Sequence, residues 1–234
     1  MLDIYRASCQ NIRELKSKRK IIHKMMNQSI RKGAISEIDT ITKLYALLYS
    51  AYAETSFLKL IHTPYGLTDS EIDVIQNQRN LEDKWSKCFE LVFKKIDTKT
   101  NAGEIANKKQ KLKRILDEYI IKPSQIRNKI AHGQWCCCLN NECTAVNADS
   151  TVQIANLDFV RIDVLFEVYG KFQQCIEDLI ESQITHYRDY YPQITELEEY
   201  IDQTKTWDMS SKISKINGSV KTANFKQRQK DEHI

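Results

Sequence analysis

The stretch Leu165–Gln183 reads LFEVYGKFQQCIEDLIESQ and repeats apolar residues along one helix face. The repeating residues are Leu165, Val168, Phe172, Ile176 and Leu179, and the polar Gln183 breaks the pattern. A repeat of about 3.6 residues is typical of an amphipathic α-helix, whereas a half-buried strand alternates residue by residue. We therefore predict that the longest helix of the chain begins near Asn156 and is stopped by Pro192.

The same periodicity extends to both sides of this stretch. Residues 2–32 are expected to form a basic N-terminal helix. Ser36 with Asp39, and Thr68 with Glu71, have the spacing of capping boxes that begin two further helices. Apolar stripes then follow at Ile38, Ile41, Tyr45, Leu48 and Tyr52, at Leu81, Trp85, Phe89, Val92 and Ile96, and at Leu112, Ile115, Leu116, Tyr119 and Ile120. With only 6 Gly and 3 Pro in the chain, we predict an all-α bundle of four to five main helices.

Changes in composition divide the chain into three parts. We assign 1–35 to a basic N-terminal helical extension, 36–203 to a helical domain and 204–234 to a polar tail. Few apolar residues recur after Lys205, so the tail is expected to be mobile. Within the domain, WCCCLNNECTAV (135–146) has an Asn-Asn turn between two short runs, which predicts a small hairpin insertion.

Charge and hydropathy limit the kind of protein. The 234 residues carry a net charge of +4, and no window approaches eighteen consecutive apolar residues. The N-terminus has no apolar signal-peptide core, so we expect a cytoplasmic protein with no membrane partner. The basic runs Arg13–Lys24 and Lys108–Arg114 are compatible with a polyanionic partner, although such a run is more often a solvated helix face.

The segment SQIRNKIAHGQW (124–135) concentrates polar groups on one short helix. At about 100° per residue, Ile126 and Ile130 face the core, while Arg127 and His132 mark the edges of the opposite arc. The middle of that arc holds only the short Asn128 and Ala131, which lets another backbone approach closely. A plain helix end is the alternative, because Gly133 suits the position after a C-cap and a histidine interacts favourably with the helix dipole there.

The string RNKIAH (127–132) resembles the R-x4-6-H motif of the HEPN ribonucleases, including the polar residue, here Asn128, after the arginine. The resemblance covers roughly residues 36–190. It implies a HEPN-like helical bundle with Arg127, Asn128 and His132 as catalytic residues and with no cofactor. It also implies RNA as substrate, a homodimer formed through the motif helix, and a role as a toxin or antiviral-defence effector controlled by an antitoxin or sensor protein.

The residue types suit metal-independent RNA cleavage. The RNA 2′-OH is the nucleophile, and a histidine can act as base or acid near neutral pH. Arginine supplies permanent charge and forked donors to phosphate oxygens, and asparagine supplies neutral donors. One motif supplies one histidine, so two motif helices around a two-fold axis would supply both acid and base. We expect ends with a 2′,3′-cyclic phosphate and a 5′-OH.

Several alternatives stay open at this stage. The same face could bind RNA or a protein without cleavage, or the chain could be an unrelated helical bundle. Glu54 could reach Arg127 from a neighbouring helix and hold the guanidinium, although a glutamate facing solvent is the commoner case. Some HEPN toxins carry a tyrosine two residues after the motif histidine, and this chain has Gln134 there.

The seven cysteines show no disulfide framework, and free thiols are the favoured interpretation. If Asn140 and Asn141 form the hairpin turn, Cys138 would lie opposite Cys143, with Cys136 on the same face. Three thiolates in that arrangement could begin a zinc site. No adjacent fourth ligand is evident, so zinc remains the less favoured alternative.

Overall fold

The structure, a computed structural model, describes residues 2–95, 102–181 and 183–218, and in this part of the chain it is all-α. The helices are α1 (Leu2–Lys32), α2 (Ile35–Ile61), α3 (Asp69–Gln76), α4 (Leu81–Lys94), α5 (Ala102–Leu116), a π-helix (Asp117–Ile121), α6 (Lys122–Ala131), α7 (Ala148–Ala155), α8 (Phe159–Glu181) and α9 (Gln183–Thr204). Residues 209–218 are also helical. The prediction of an all-α class is confirmed.

Two expectations about the later helices are wrong. The longest described helix is α1 with 31 residues, while α8 has 23. Pro192 does not stop a helix but lies inside α9. A proline in a helix interior removes one backbone hydrogen bond. The neighbouring Tyr190, Ile194 and Leu197 are buried in the core, and that burial offsets the loss.

The two predicted capping boxes have different outcomes. Thr68 begins α3 as predicted: its hydroxyl accepts from the Glu71 backbone N–H, and the Glu71 carboxylate accepts from the Thr68 N–H. Ser36 does not begin α2, which starts at Ile35 with Ala34 at the N-cap position and no side-chain cap. The turn after α1 is too short for Ser36 to precede the helix.

The core lies mainly between α2 and α8, whose buried faces are rich in aromatic rings. Tyr45 stacks on Phe159 with ring centroids 4.3 Å apart, and Tyr52 meets Phe166 at 5.2 Å. Trp85 of α4 is fully buried and packs against Phe57 at 4.4 Å. These contacts make α2 the central helix, and α1, α6 and α8 all pack against it.

The terminal segments also contact this core. Met26 and Ile30 of α1 are buried in it, and Met209, Ile213 and Ile216 of the segment 209–218 pack partly buried against it. Residues 219–234 of the predicted mobile tail lie outside the described residues. The division at residues 35 and 203 stays a prediction. Among the described helices, none has a stretch apolar enough and long enough to cross a bilayer.

The expected hairpin is reduced to a loop with one isolated antiparallel bridge, between Leu139 and Val146. The Asn140 N–H donates to the Ala145 carbonyl at 2.9 Å, and the Asn147 N–H donates to the Cys138 carbonyl at 2.7 Å. The predicted pairing of Cys138 with Cys143 is therefore wrong, because the turn is wider than Asn140–Asn141 alone.

Candidate functional site

The motif helix α6 continues directly from α5 through the π-helix. Pro123 has no N–H, so the carbonyl of Tyr119, four residues earlier, has no donor from the helix backbone at that position. The hydroxyl of Tyr49 on α2 donates to this carbonyl at 2.7 Å. The preceding residue, Lys122, donates its N–H to the carbonyl of Asp117, five residues earlier. This spacing is that of a π-helix, whereas an α-helix bonds over four residues. This bond from α2 ties the start of α6 to the central helix.

The end of α6 is set by Gly133, whose φ is +77°. The Gly133 N–H donates to the Ile130 carbonyl and the Gln134 N–H donates to the Lys129 carbonyl, each at 3.0 Å. This pair of bonds is the Schellman motif, which favours glycine because the backbone is left-handed there. His132 is the C-cap residue and is exposed. The predicted helix end is thus present, and it leaves the imidazole accessible.

Arg127 lies against α2 rather than on an open face. Its Nη2 donates to the carboxylate of Glu54, with which it forms an ion pair. The Arg127 side chain is 24% exposed and that of Glu54 is 49% exposed. The Glu54 contact weighed from the sequence is therefore present, although a solvent-facing glutamate was the favoured interpretation.

One nitrogen of Arg127 is buried without a partner. Its Nε has no hydrogen-bond acceptor among the described residues, and burial lowers the pKa of Arg127. The guanidinium nevertheless stays charged at neutral pH, because an arginine pKa lies far above it. A buried N–H without an acceptor is costly, so the Nε donor of Arg127 is left unused in the described structure.

The motif residues are divided between two clefts on either side of α6. Asn128 and His132 line one of about 910 Å³, the loop cleft, between α6 and the segment 139–153. Arg127 lines another of about 770 Å³, the apolar cleft, whose walls come from α2, the π-helix, α6, α7, α8 and α9. Gln125, Ile126 and Gln153 line both, so the two clefts adjoin, with a ridge at Ile126 between them. Asn128 and His132 therefore line one cleft, and Arg127 lines the neighbouring one.

Three hydrogen bonds hold the loop after α6 beside the loop cleft. Lys129 Nζ donates to the Leu139 carbonyl at 2.6 Å, and the Leu139 N–H donates to Gln134 Oε1 at 2.8 Å. The indole N–H of Trp135 donates to the Ile130 carbonyl at 2.9 Å. These bonds keep the side chains of the loop beside His132.

The cysteines of this loop do not share one face. Cys138 is buried, and its N–H donates to the Thr151 hydroxyl at 2.9 Å, while Cys136 and Cys143 are exposed. Within the described ranges, no three His, Cys, Asp or Glu side chains are grouped so that they could hold a metal ion. The zinc alternative gains no support from this arrangement.

A polar cluster that the sequence did not reveal joins α1, α2 and α8. Asp163 Oδ1 accepts from Arg19 Nη2 at 2.6 Å, from His23 Nε2 at 2.9 Å and from the Tyr45 hydroxyl at 2.5 Å. Arg19 also pairs with Glu167 at 2.7 Å. Burial alone would raise the pKa of Asp163, but the hydrogen bonds from His23 and Tyr45 and the charge of Arg19 hold it well below its ordinary range.

No local signal in the sequence could have found this cluster. Arg19 and His23 belong to a basic run that reads as a solvated face, and Asp163 lies far from them along the chain. Only the packing of α1 along α2 and α8 brings the groups together. The sequence does not predict the apolar cleft either, because its wall residue Tyr119 has the spacing of an ordinary core residue.

Comparison with protein-family models, with curated proteins and with solved structures found no match to this chain. The likeness to HEPN ribonucleases therefore rests on the string Arg127–His132 and on its place in an all-α chain.

Proposed function

We propose that this protein is a metal-independent endoribonuclease of the HEPN type. The observation that carries the proposal is an accessible imidazole at the end of a short helix, His132, beside Asn128 and on the same helix as an arginine that is held by a carboxylate. In this assignment His132 moves protons, Arg127 stabilises charge on the phosphate, and Asn128 orients the phosphate or the imidazole.

The reaction needs no group beyond the RNA and these side chains. A neutral imidazole takes the proton of the 2′-OH, and the 2′-oxygen attacks the adjacent phosphorus. The bond from phosphorus to the 5′-oxygen then breaks, and a protonated imidazole gives its proton to that leaving oxygen. The products are a 2′,3′-cyclic phosphate and a 5′-OH end, so atoms and charge balance.

A homodimer supplies the second imidazole and the second guanidinium that one chain lacks. Each chain carries one motif, and its Arg127 and His132 line different clefts. A second α6 across a two-fold axis would add a second imidazole and a second guanidinium. Repulsion between two close imidazoles favours one charged and one neutral ring, the state that acid–base cleavage requires. The exposed face of Asn128, Ala131 and His132 is small enough for such an approach.

The biological role that fits this activity is a toxin or an antiviral-defence effector. An RNase without a built-in restraint would damage its own cell, so an antitoxin or sensor protein is the second partner in this proposal. RNA contacts of this kind are made through phosphates, and the binding should weaken steeply as salt is raised.

A second candidate is a non-catalytic module that binds RNA or protein. It is favoured by one observation: Arg127 is paired with Glu54 and is separated from His132 by the ridge at Ile126. In that case the loop cleft and the face of α6 serve for docking alone.

Product chemistry separates the two candidates. Labelled tRNA, mRNA and rRNA are incubated with the wild type, with His132→Ala and with Glu142→Ala, an exposed residue of the same loop that does not line the cleft and serves as control. The enzyme proposal expects cyclic-phosphate ends from the wild type and the control, and a rate about 10²–10⁴ lower from His132→Ala. Intact RNA with wild-type protein, also in the presence of its native operon partners, would reject the enzyme.

A further inference from the structure

The apolar cleft has the dimensions of a small-molecule site. Its volume is about 770 Å³, and ligand pockets in proteins span about 300–1,000 Å³. Its apolar lining comes from several helices and includes Tyr49, Tyr119, Ile126, Val152 and Leu165. Val152 is 57% exposed, so part of this lining faces solvent.

The charges at the cleft are mostly positive, and two of the cations are not used to hold backbone carbonyls or a neighbouring α9 carboxylate. Lysine or arginine lines it at four positions and a carboxylate at two: Lys122, Arg127, Arg161 and Lys205, and Glu118 and Asp158. Two of the cations serve the fold. Arg161 donates to the carbonyls of Thr204 and Lys205, and Lys205 pairs with Asp202.

The remaining cations are Arg127 and Lys122. Arg127 pairs with Glu54 through Nη2 but keeps its buried Nε without an acceptor, and Lys122 is exposed and takes part in no ion pair between described residues. Of the two carboxylates, Asp158 is already engaged, since it accepts the backbone N–H groups of Val160 and Met209. Glu118 is exposed at the same wall. An anion entering the cleft would therefore meet the Arg127 guanidinium and the Lys122 ammonium group, with the Glu118 carboxylate nearby.

The wall that carries these cations is itself unusual. Tyr119 and Glu118 belong to the π-helix, and Lys122 follows it directly. A π-helix is rare and is frequently found at functional sites. Here the Tyr49 hydroxyl stabilises it from within the cleft wall. The missing N–H of Pro123 accounts for the local change in bonding, and the charged residues of the wall lie on and directly after this turn.

We propose that the apolar cleft binds a small amphiphilic anion, a single carboxylate or phosphate on an apolar body, with the anion at Arg127 and Lys122. The apolar body lies against the side chains of α7 and α8. This inference does not depend on RNA cleavage, because binding is measured without any turnover.

The experiment uses the fluorescent anion 8-anilinonaphthalene-1-sulfonate and its neutral analogue N-phenyl-1-naphthylamine on the full chain. We expect one saturable anion site per chain. Lys122→Glu should weaken binding of the anion about tenfold or more, because it reverses a charge at the mouth, and should leave binding of the neutral analogue unchanged. The matched control is Lys109→Glu, an exposed lysine of α5 outside the cleft. Equal anion binding by the two variants would overturn the proposal.

A second pair of variants tests the apolar wall. Val152→Glu places a carboxylate in the cleft, and Val74→Glu makes the same change on α3 at a side chain that is 44% exposed. Only Val152→Glu should abolish binding, and neither should change the melting temperature, since both sites are exposed. Retained binding in Val152→Glu would overturn the proposal.

Competition then assigns the source of the ligand. Decanoate and AMP each combine an apolar body with an anion, one aliphatic and one aromatic. Displacement of the probe by decanoate alone assigns an aliphatic carboxylate, and displacement by AMP alone assigns a nucleotide. Displacement by neither overturns the proposed ligand class.

Discussion

Arg127 and His132 lie on the same helix, yet their side chains line two different clefts, separated by a ridge that includes Ile126. A single chain thus presents a guanidinium on one side of α6 and an imidazole on the other. In the proposed dimer, the partner chain brings its own copy of each group to the same phosphate. This relationship makes the assembly state the first question to test.

Mixing active and inactive chains tests a composite site. Wild type is co-expressed with His132→Ala at increasing ratios, and dimers of mixed composition form. If cleavage needs both imidazoles, the mixed dimer is inactive and activity falls as the square of the wild-type fraction. If each chain works alone, activity falls linearly with that fraction. Co-expression with Glu142→Ala, an exposed residue outside the cleft that is expected to be active, should cause no fall and serves as control.

Removing the partner of Arg127 should affect cleavage more than stability. In Glu54→Ala the guanidinium loses the carboxylate that holds it, and we expect kcat/KM to fall about 10- to 100-fold through misplacement. The melting temperature should change little, since Glu54 is half exposed. Glu142→Ala, on the exposed loop, is the matched control. Activity at the wild-type level in Glu54→Ala would show that the ion pair does not position Arg127.

Tyr49→Phe should weaken the fold at the start of α6. The substitution removes the hydroxyl that donates to the Tyr119 carbonyl, and a buried acceptor left without a donor costs about 1–3 kcal/mol. Urea unfolding measures this loss. Tyr65→Phe, at a fully exposed tyrosine, should be neutral. Equal stability of the two variants would mean that the π-helix holds without help from α2.

Asp163 should make the protein sensitive to acid. Its pKa is lowered in the folded state, so its stabilising effect is present above the pKa of an unfolded aspartate, about 3.9. That effect is lost as the pH falls below this value. Asp163→Asn should be less stable at pH 7 by about 2 kcal/mol, as expected for hydrogen bonds to a charged group.

The difference in the free energy of unfolding between wild type and Asp163→Asn should shrink as the pH falls below about 4. The control is Asp73→Asn, at an exposed position in the middle of α3. The free energy of unfolding at several pH values provides the measurement. A constant difference down to pH 2 would mean that the Asp163 charge does not act through Arg19, His23 and Tyr45.

The sequence predicts a helix well where its apolar residues repeat along a single face that packs on the core. The stripe from Leu165 to Leu179 lies on α8, and the Thr68–Glu71 cap begins α3, because both signals are local. Pro192 misled the prediction of a helix end, since the burial of its neighbours along α9 outweighs a single lost hydrogen bond.

The site was less predictable than the fold. A helical wheel correctly places Asn128 and His132 on an exposed face, because the spacing within α6 is regular. It does not predict that Arg127 lies against Glu54, since this depends on how α6 packs on α2. The cluster around Asp163 depends on contacts between helices that are distant in sequence, for which the chain has no local pattern.

The π-helix makes the segment Asp117–Ile121 tolerant of a change in length. A π-turn holds one residue more than an α-turn between the same flanking segments. Deleting the exposed Glu118 would therefore restore an ordinary α-turn and keep Arg127 beside Glu54. The same deletion in the regular part of α6 would rotate every side chain beyond it by about 100° around the axis and misalign both clefts.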